Sequence, residues 1–220
     1  MIHIEKAQVF GWEAAIRGMR NPMNSWEKSD SFIGCEPDNY WPICGDDCRH
    51  KCQFVVGEED LLLMKKLSKA GTDHSKFLRM INVTADVTAP LYFFKEYDTY
   101  KVSTVANSTS TMHKIHARDL TIDDFSCDHL QGEGLEALGK IIDTINTYRK
   151  RFIETKDKED WYSMIQLLPS SYNQKRTVQL NYQVLKSIYH ARNAHKLNEW
   201  HFFCSWAVTL PYFKEICVDM

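Results

Sequence analysis

What this sequence lacks narrows it first. Its 27 lysines and arginines nearly balance 29 aspartates and glutamates, leaving a net charge near −2. No global basic field therefore speaks for a nucleic-acid partner. No apolar run approaches the ~20 residues that span a bilayer, so no membrane segment is expected. The opening stretch MIHIEKAQVF alternates like a strand and holds no apolar segment of the secretory type. A chain that is not exported keeps its thiols reduced, so the seven cysteines are expected as free thiols or metal ligands in a cytoplasmic protein. Internal repeats and long linkers are absent as well.

What is present suits one substantial core. The chain has 220 residues, 44% of them hydrophobic and 12% aromatic, enough for a single domain over residues 1–220. Residues 2–10 alternate and read as a strand; 12–20 read as a helix ended by Asn21-Pro22. Residues 30–56 form an irregular, Cys-rich excursion. Residues 58–70 make a helix with acids first, lysines last and Gly71 beyond it. A strand is expected over 77–87, followed by a helix capped by Thr88 with Pro90 in its first turn. A long amphipathic helix covers 135–154, and a short one covers 158–168. Residues 174–180 alternate again, Asn181 caps the next helix, and a last helix covers about 196–208. Strands and helices in this order, with few regular βαβ units, predict an α+β fold with a mixed or antiparallel sheet and long helices packed on it.

Two features call for a chemical account. In the helix opened by Asn181, the residues Leu185, Ile188, Tyr189 and Arg192 share one face. An arginine that continues an apolar stripe either lies at the helix end with its head in water, or grips a planar or anionic ligand. The second feature is YKVSTVANSTSTMH, residues 100–113, where six of fourteen residues are Ser or Thr. Such a stretch is either a solvated loop or a loop that lays hydroxyls and amides around a ligand, with Lys101, His113 or Lys114 supplying charge.

The segment LLPSSYNQKRTVQLNYQVLKSIYHARNAHKLNEW resembles the C-terminal signature of flavin-dependent thymidylate synthases. Leu168-Pro169, Asn181, Leu185 and Arg192 fall in register, and His195 and Glu199-Trp200 fit with a slip of about one residue. His74, ahead of the central strand, is also similar. The resemblance implies a homotetramer that binds FAD and dUMP at subunit interfaces. It also implies methylation of dUMP to dTMP, with methylenetetrahydrofolate as carbon donor and NADPH as reductant of the flavin. By this likeness Arg192, Ser108, Ser110 and Lys101 are nucleotide-binding candidates, and His74, Asn107, Asn181 and His195 are cofactor-binding candidates.

The family's motif, Arg-His-Arg-x-x-Ser-x-Asn-Glu-x-Ser-x-Arg-Tyr, falls on residues 100–113. Asn107 and Ser110 match it. Tyr100, Val102 and Met112 stand where it has arginines, Val105 and Ser108 replace its Ser and Glu, and Lys101 and His113 replace its His and Tyr. Gln183 also occupies a usual arginine position. Each charge-assisted contact contributes about 1.5–3 kcal/mol, so this chain cannot hold flavin and nucleotide phosphates by the family's usual route. A catalytically inactive oligomeric binding or scaffold protein on the same fold is therefore an open alternative. Arg17 and Arg20 are candidates to supply the missing charge.

Cys35, Cys44, Cys48 and Cys52, spaced C-x8-C-x3-C-x3-C, could seat a tetrahedral zinc ion, or could be incidental free thiols. The metal reading would make the chain a metal-stabilised interaction module. Cys127, Cys204 and Cys217 read as core thiols.

Overall fold

A computed structural model describes residues 2–35 and 52–219. The elements in chain order are β1 (His3–Phe10), α1 (Trp12–Arg20), β2 (Phe32–Cys35), β3 (Cys52–Val55), α2 (Glu58–Lys69), β4 (Asn82–Pro90), α3 (Leu91–Tyr97), β5 (Val105–Ser108), α4 (Glu133–Thr155), α5 (Lys158–Leu167), β6 (Asn173–Asn181), α6 (Tyr182–Arg192) and α7 (Asn198–Val208). One sheet has the strand order β1-β4-β6-β5, and β2 and β3 form a separate antiparallel hairpin. The expected α+β fold is therefore what the chain adopts. By contact density it divides into two units, and β1, β4, β6 and α7 each cross the division.

The first unit comprises the chain up to Ala7, Thr84–Gln179 and His195–Phe203. Here β4 alternates strictly: Ala85, Val87 and Ala89 point into the core, while Thr84, Asp86 and Thr88 do not. On the outward side Asp86 accepts hydrogen bonds from Thr177 Oγ1 (2.6 Å), and Lys175 Nζ lies 3.2 Å from it and 2.6 Å from Glu5. The Lys175 ammonium on β6 thus bridges carboxylates of β1 and β4. The strand runs to Pro90, three residues past the sequence expectation. Thr88 consequently does not cap α3. The amides of Leu91 and Tyr92, orphaned at the helix start, donate instead to the carbonyls of Tyr172 and Ser170, both at 3.0 Å.

The 23-residue α4 buries Leu138, Ile142 and Ile145, which cluster with Ile115, Leu120, Phe125 and Met164 of the neighbouring segments. Its polar residues do as much to order the chain. Asn146 brackets Leu120, accepting from its N–H at 2.8 Å and donating to its carbonyl at 2.9 Å. Arg149 donates to the His116 carbonyl (3.0 Å) and to Asp119 (2.7 Å). Residues 116–120, though outside any helix or strand, are held by the Asn146 and Arg149 side chains, which satisfy main-chain groups of His116 and Leu120.

The second unit comprises Gln8–Val83, Leu180–Ala194 and Cys204 to the C-terminus. Both α1 and α6 pack on a 3-10 turn at Lys76–Arg79, which occupies the beginning of the segment expected as strand. Trp12 meets Tyr182 and Tyr212 edge-on at 5.5 and 5.4 Å, the arrangement that ring quadrupoles favour. At Gly11, with φ +96°, a Cβ would lie 2.2 Å from the Met80 carbonyl oxygen, so only glycine lets the strand turn into α1 there. Within the segment expected to be irregular, the described residues 32–35 and 52–55 pair as β2 and β3, with Cys35 opposite Cys52. Cys44 and Cys48 lie outside the described residues, and among the described residues no cluster of three or more His, Cys, Asp or Glu suits a metal ion.

The strongest polar tie in this unit is buried. Arg20 and Asp60 are 4% and 0% exposed, and Arg20 Nε donates to Asp60 Oδ1 at 2.6 Å. The guanidinium also donates to the Ser25 carbonyl (3.1 Å) and the Lys28 carbonyl (3.0 Å). The other Asp60 oxygen accepts from the hydroxyls of Ser29 and Ser31, each at 2.6 Å. Burial pushes the Asp60 carboxyl up, but the two hydroxyls and the guanidinium outweigh it and hold the group below its ordinary value. Cys204 and Cys217 are buried as expected, their thiols pushed up to about 11 and about 12 by burial, whereas Cys127 is only half-buried.

Arg20→Met leaves the Asp60 carboxylate buried without its cation and is expected to cost about 3–5 kcal/mol in urea unfolding at pH 7. A group whose folded value is depressed stabilises above its unfolded value, near 3.9, and that stability is lost as the pH falls through the folded value. The gap between wild type and Arg20→Met therefore narrows below about pH 4, measured by urea titrations at a series of pH values. Native Cys204 and Cys217 should react with thiol reagents at pH 8 far more slowly than in urea.

Candidate functional site

The sequence candidates fall in both units, and in each the local geometry decides what they can do. In the second unit they gather around α6. β6 ends in extended geometry at Asn181, which is 4% exposed, and the Asn181 Oδ1 atom accepts the Val184 N–H at 3.0 Å. This is the expected N-cap. It consumes the side-chain oxygen and leaves only the amide nitrogen to donate to a ligand.

The first turn of α6 also carries Gln183, whose Oε1 accepts from the Ser75 hydroxyl at 3.3 Å. His74, the residue before, is exposed, and its N–H donates to the Gly71 carbonyl. One turn on, Lys186 donates to the carbonyl and hydroxyl of Ser68, both at 3.0 Å, and burial pulls its ammonium below the ordinary lysine range. Gln183 and Lys186 thus tie the start of α6 to residues 68–75.

Arg192 is at the other end. It is the last residue of α6 and half-buried, with Leu185 and Ile188 fully buried on the preceding turns. A cation here is favoured by the helix dipole. Eleven residues at 1.5 Å each put Asn181 and Arg192 about 16 Å apart. One pyrimidine ring cannot touch both.

In the first unit the Ser/Thr stretch departs from expectation. Residues 105–108 are not a loop but the edge strand β5, paired antiparallel with β6 so that Asn107 faces Thr177 and Ser108 faces Arg176. All four residues are exposed. Beyond them Ser110 Oγ accepts the His113 N–H at 2.9 Å, and Gln174 donates to the Thr109 carbonyl at 2.7 Å. Lys101 is exposed ahead of the strand. The arginine nearest in register, Arg176, lies 3.9 Å over the Phe94 ring and donates to Asp98 (2.7 Å) and Gln174 (2.9 Å), so its charge is used within the fold. Nor can Arg20 supply the missing charge, being spent on Asp60.

His195 joins a group that sequence spacing did not reveal. Its Nδ1 accepts the Leu197 N–H at 3.1 Å, so a neutral ring carries its proton on Nε2, which lies 3.3 Å from Glu96 Oε2. The same Glu96 oxygen accepts from Trp200 Nε1 at 3.1 Å. On the preceding turn of α3, Tyr92 donates to Glu199 in a short hydrogen bond. Burial, reinforced by that carboxylate, raises the Tyr92 hydroxyl above its ordinary range. Glu199 also walls a cavity of about 210 Å³ shared with Asp128, His129 and Asn198. Tyr92 and Glu96, four apart on α3, were legible as one helix face; their partners 100 residues on were not.

Asn181→Ala should cost about 1 kcal/mol in chemical unfolding, and Asn181→Ser should restore most of it. A ligand affinity that falls in both variants would assign the amide nitrogen to binding as well as capping.

No family model and no curated protein matches the chain. Solved structures do match it along its whole length. A flavin-dependent thymidylate synthase, ThyX, from Helicobacter pylori in complex with FAD and dUMP is 12% identical, with 99% of this chain and 98% of that chain covered and a TM-score of 0.66. A second structure of Helicobacter pylori thymidylate synthase X with FAD and dUMP is 14% identical, with 100% and 98% covered and a TM-score of 0.67. A UMP/dUMP methylase, PolB, from Streptomyces cacaoi bound with 5-bromo-dUMP is 11% identical, with 100% and 95% covered and a TM-score of 0.61. The chain shares the fold of these proteins.

Proposed function

We propose that the chain is a divergent thymidylate synthase-like protein that binds a dUMP-like pyrimidine nucleotide. The observation that carries this reading is the end-to-end likeness to structures holding dUMP or its 5-bromo analogue. The α6 residues support it: a guanidinium at a helix end matches the edge of a pyrimidine ring. In this reading Arg192 of the second unit is the candidate for the ring, and Ser108, Ser110 and Lys101 of the first unit are the candidates for the phosphate. FAD is the cofactor in this reading, with His74 and Asn181 of the second unit and Asn107 and His195 of the first as the candidates to contact it. The Asn181 amide nitrogen and the exposed His74 ring suit a flavin's carbonyl and ring-nitrogen edge, and the bound flavin would supply hydride. The reaction is methylation of dUMP to dTMP, with NADPH and methylenetetrahydrofolate as cosubstrates, in a cytoplasmic homotetramer. Among the described residues no helix is long and apolar enough to cross a membrane.

A second reading has its own support. Of the signature arginine positions on residues 100–113, none carries arginine, and Arg20, Arg149 and Arg176 are spent in ion pairs with Asp60, Asp119 and Asp98. On this reading the fold is kept as a nucleotide-binding protein that does not turn over.

Freshly purified protein should show a flavin absorbance band, and dUMP should raise its melting temperature. Arg192→Met should weaken dUMP binding about ten- to a hundredfold, the loss of one charge-assisted contact. A colourless protein whose melting point ignores FAD, dUMP and dTMP would refute the proposal. Nucleotide binding without dUMP-dependent NADPH oxidation would select the second reading.

A further inference from the structure

One trough in the second unit is lined by none of the residues assigned above to the pyrimidine or the flavin, and it includes Arg17, which sequence offered only as a source of charge. Two adjoining cavities, about 420 and 250 Å³, share Glu13, Arg17 and Phe54 in their walls. The smaller, which opens to solvent, is also lined by Trp26 and by Arg20, Ser29 and Ser31. Trp26 is 47% exposed, and its Nε1 donates to Asn21 Oδ1 at 2.8 Å. The ring's one polar atom is thereby satisfied and its faces are left for stacking. Phe54 of β3 is a second, half-buried aromatic wall.

The polarity of the trough comes from one pair. Arg20 is neutralised by Asp60, so the floor carries no net charge. Glu13 and Arg17, one turn apart on α1, sit 3.6 Å from each other with side chains 80% and 64% exposed. A pair this long and this wet contributes little to stability. It does set a carboxylate acceptor beside a guanidinium donor, next to two aromatic walls. That combination complements a flat heterocycle whose edge offers two adjacent N–H groups followed by a carbonyl oxygen. The carboxylate accepts from both N–H groups while the guanidinium donates to the oxygen.

From this juxtaposition we infer that the trough binds a nucleoside with a 2-amino-6-oxopurine edge, stacked on Trp26 and Phe54 and read by Glu13 and Arg17. A ring that lacks the 2-amino group loses one charge-assisted bond. A ring with a 6-amino group in place of the oxygen turns donor against donor at Arg17. The larger cavity, which runs past Phe54 toward Phe10, takes the sugar.

The test uses the full chain and guanosine, with inosine and adenosine as controls, by isothermal titration calorimetry. Guanosine is expected to bind one per chain, inosine about tenfold more weakly, and adenosine more weakly still. Glu13→Gln and Trp26→Ala should each weaken guanosine at least about tenfold, while Trp26→Phe, which keeps a stacking face, should stay within about threefold. Both side chains are largely exposed, so melting temperatures should be unchanged, and dUMP should not compete. No heat of guanosine binding at millimolar concentration would overturn the inference. So would equal affinity for adenosine, or guanosine binding that survives Glu13→Gln.

Discussion

The contact between Arg20 and Asp60 is the constraint on which the second unit depends. Neither group reaches water, and an isolated charge there would cost several kcal/mol. The fold meets that cost by recruiting everything nearby. Arg20 closes α1 and Asp60 stands in the first turn of α2, where the helix dipole favours an acid. Residues 25–31 supply two carbonyls and three hydroxyls to the pair. Asp30, in the same segment, accepts the N–H groups of Glu59 and Asp60 and so caps α2. The irregular path after α1 is therefore set by hydrogen-bond demand. The same demand removes Arg20 from any role with an anionic ligand.

This use of charge recurs in the first unit and shapes its chemistry. Arg149, Arg176 and Lys175 each answer a fold carboxylate, Asp119, Asp98, and Glu5 with Asp86. Around the edge strand β5 the exposed polar groups are hydroxyls, an amide, Lys101, His113 and Lys114 rather than guanidinium forks. Hydroxyls and backbone amides can surround a phosphate, but with less charge-assisted strength than arginine. An anion held by such groups would be held less firmly than one gripped by guanidinium forks.

Much of this was legible in the chain. The caps and stops of α1, α2, α5 and α6 are local: a proline after α1, acids at the start of α2, Asn181 ahead of α6. Side chains within a turn of each other decide such features. The misreadings share a cause as well. Thr88 looked like a cap, but the carbonyls of Tyr172 and Ser170, eighty residues on, satisfy the start of α3 instead. Residues 105–108 looked like loop because Ser and Asn favour turns, yet pairing with β6 overrode that preference. Residues 77–79 have strand composition and form a 3-10 turn because α1 and α6 pack on them.

What the sequence alone determined was the class of fold, the amphipathic helices and the helix that runs from Asn181 to Arg192. All of these follow from residue spacing along one element. What only the tertiary structure decided was which charges are spoken for. Arg20, Arg149 and Arg176 look as available as Arg17 in the linear chain, and Glu96 looks like any surface acid until His195 and Trp200 arrive beside it. Pairing across 30 to 100 residues depends on how the backbone folds back on itself, and residue order does not encode that distance directly.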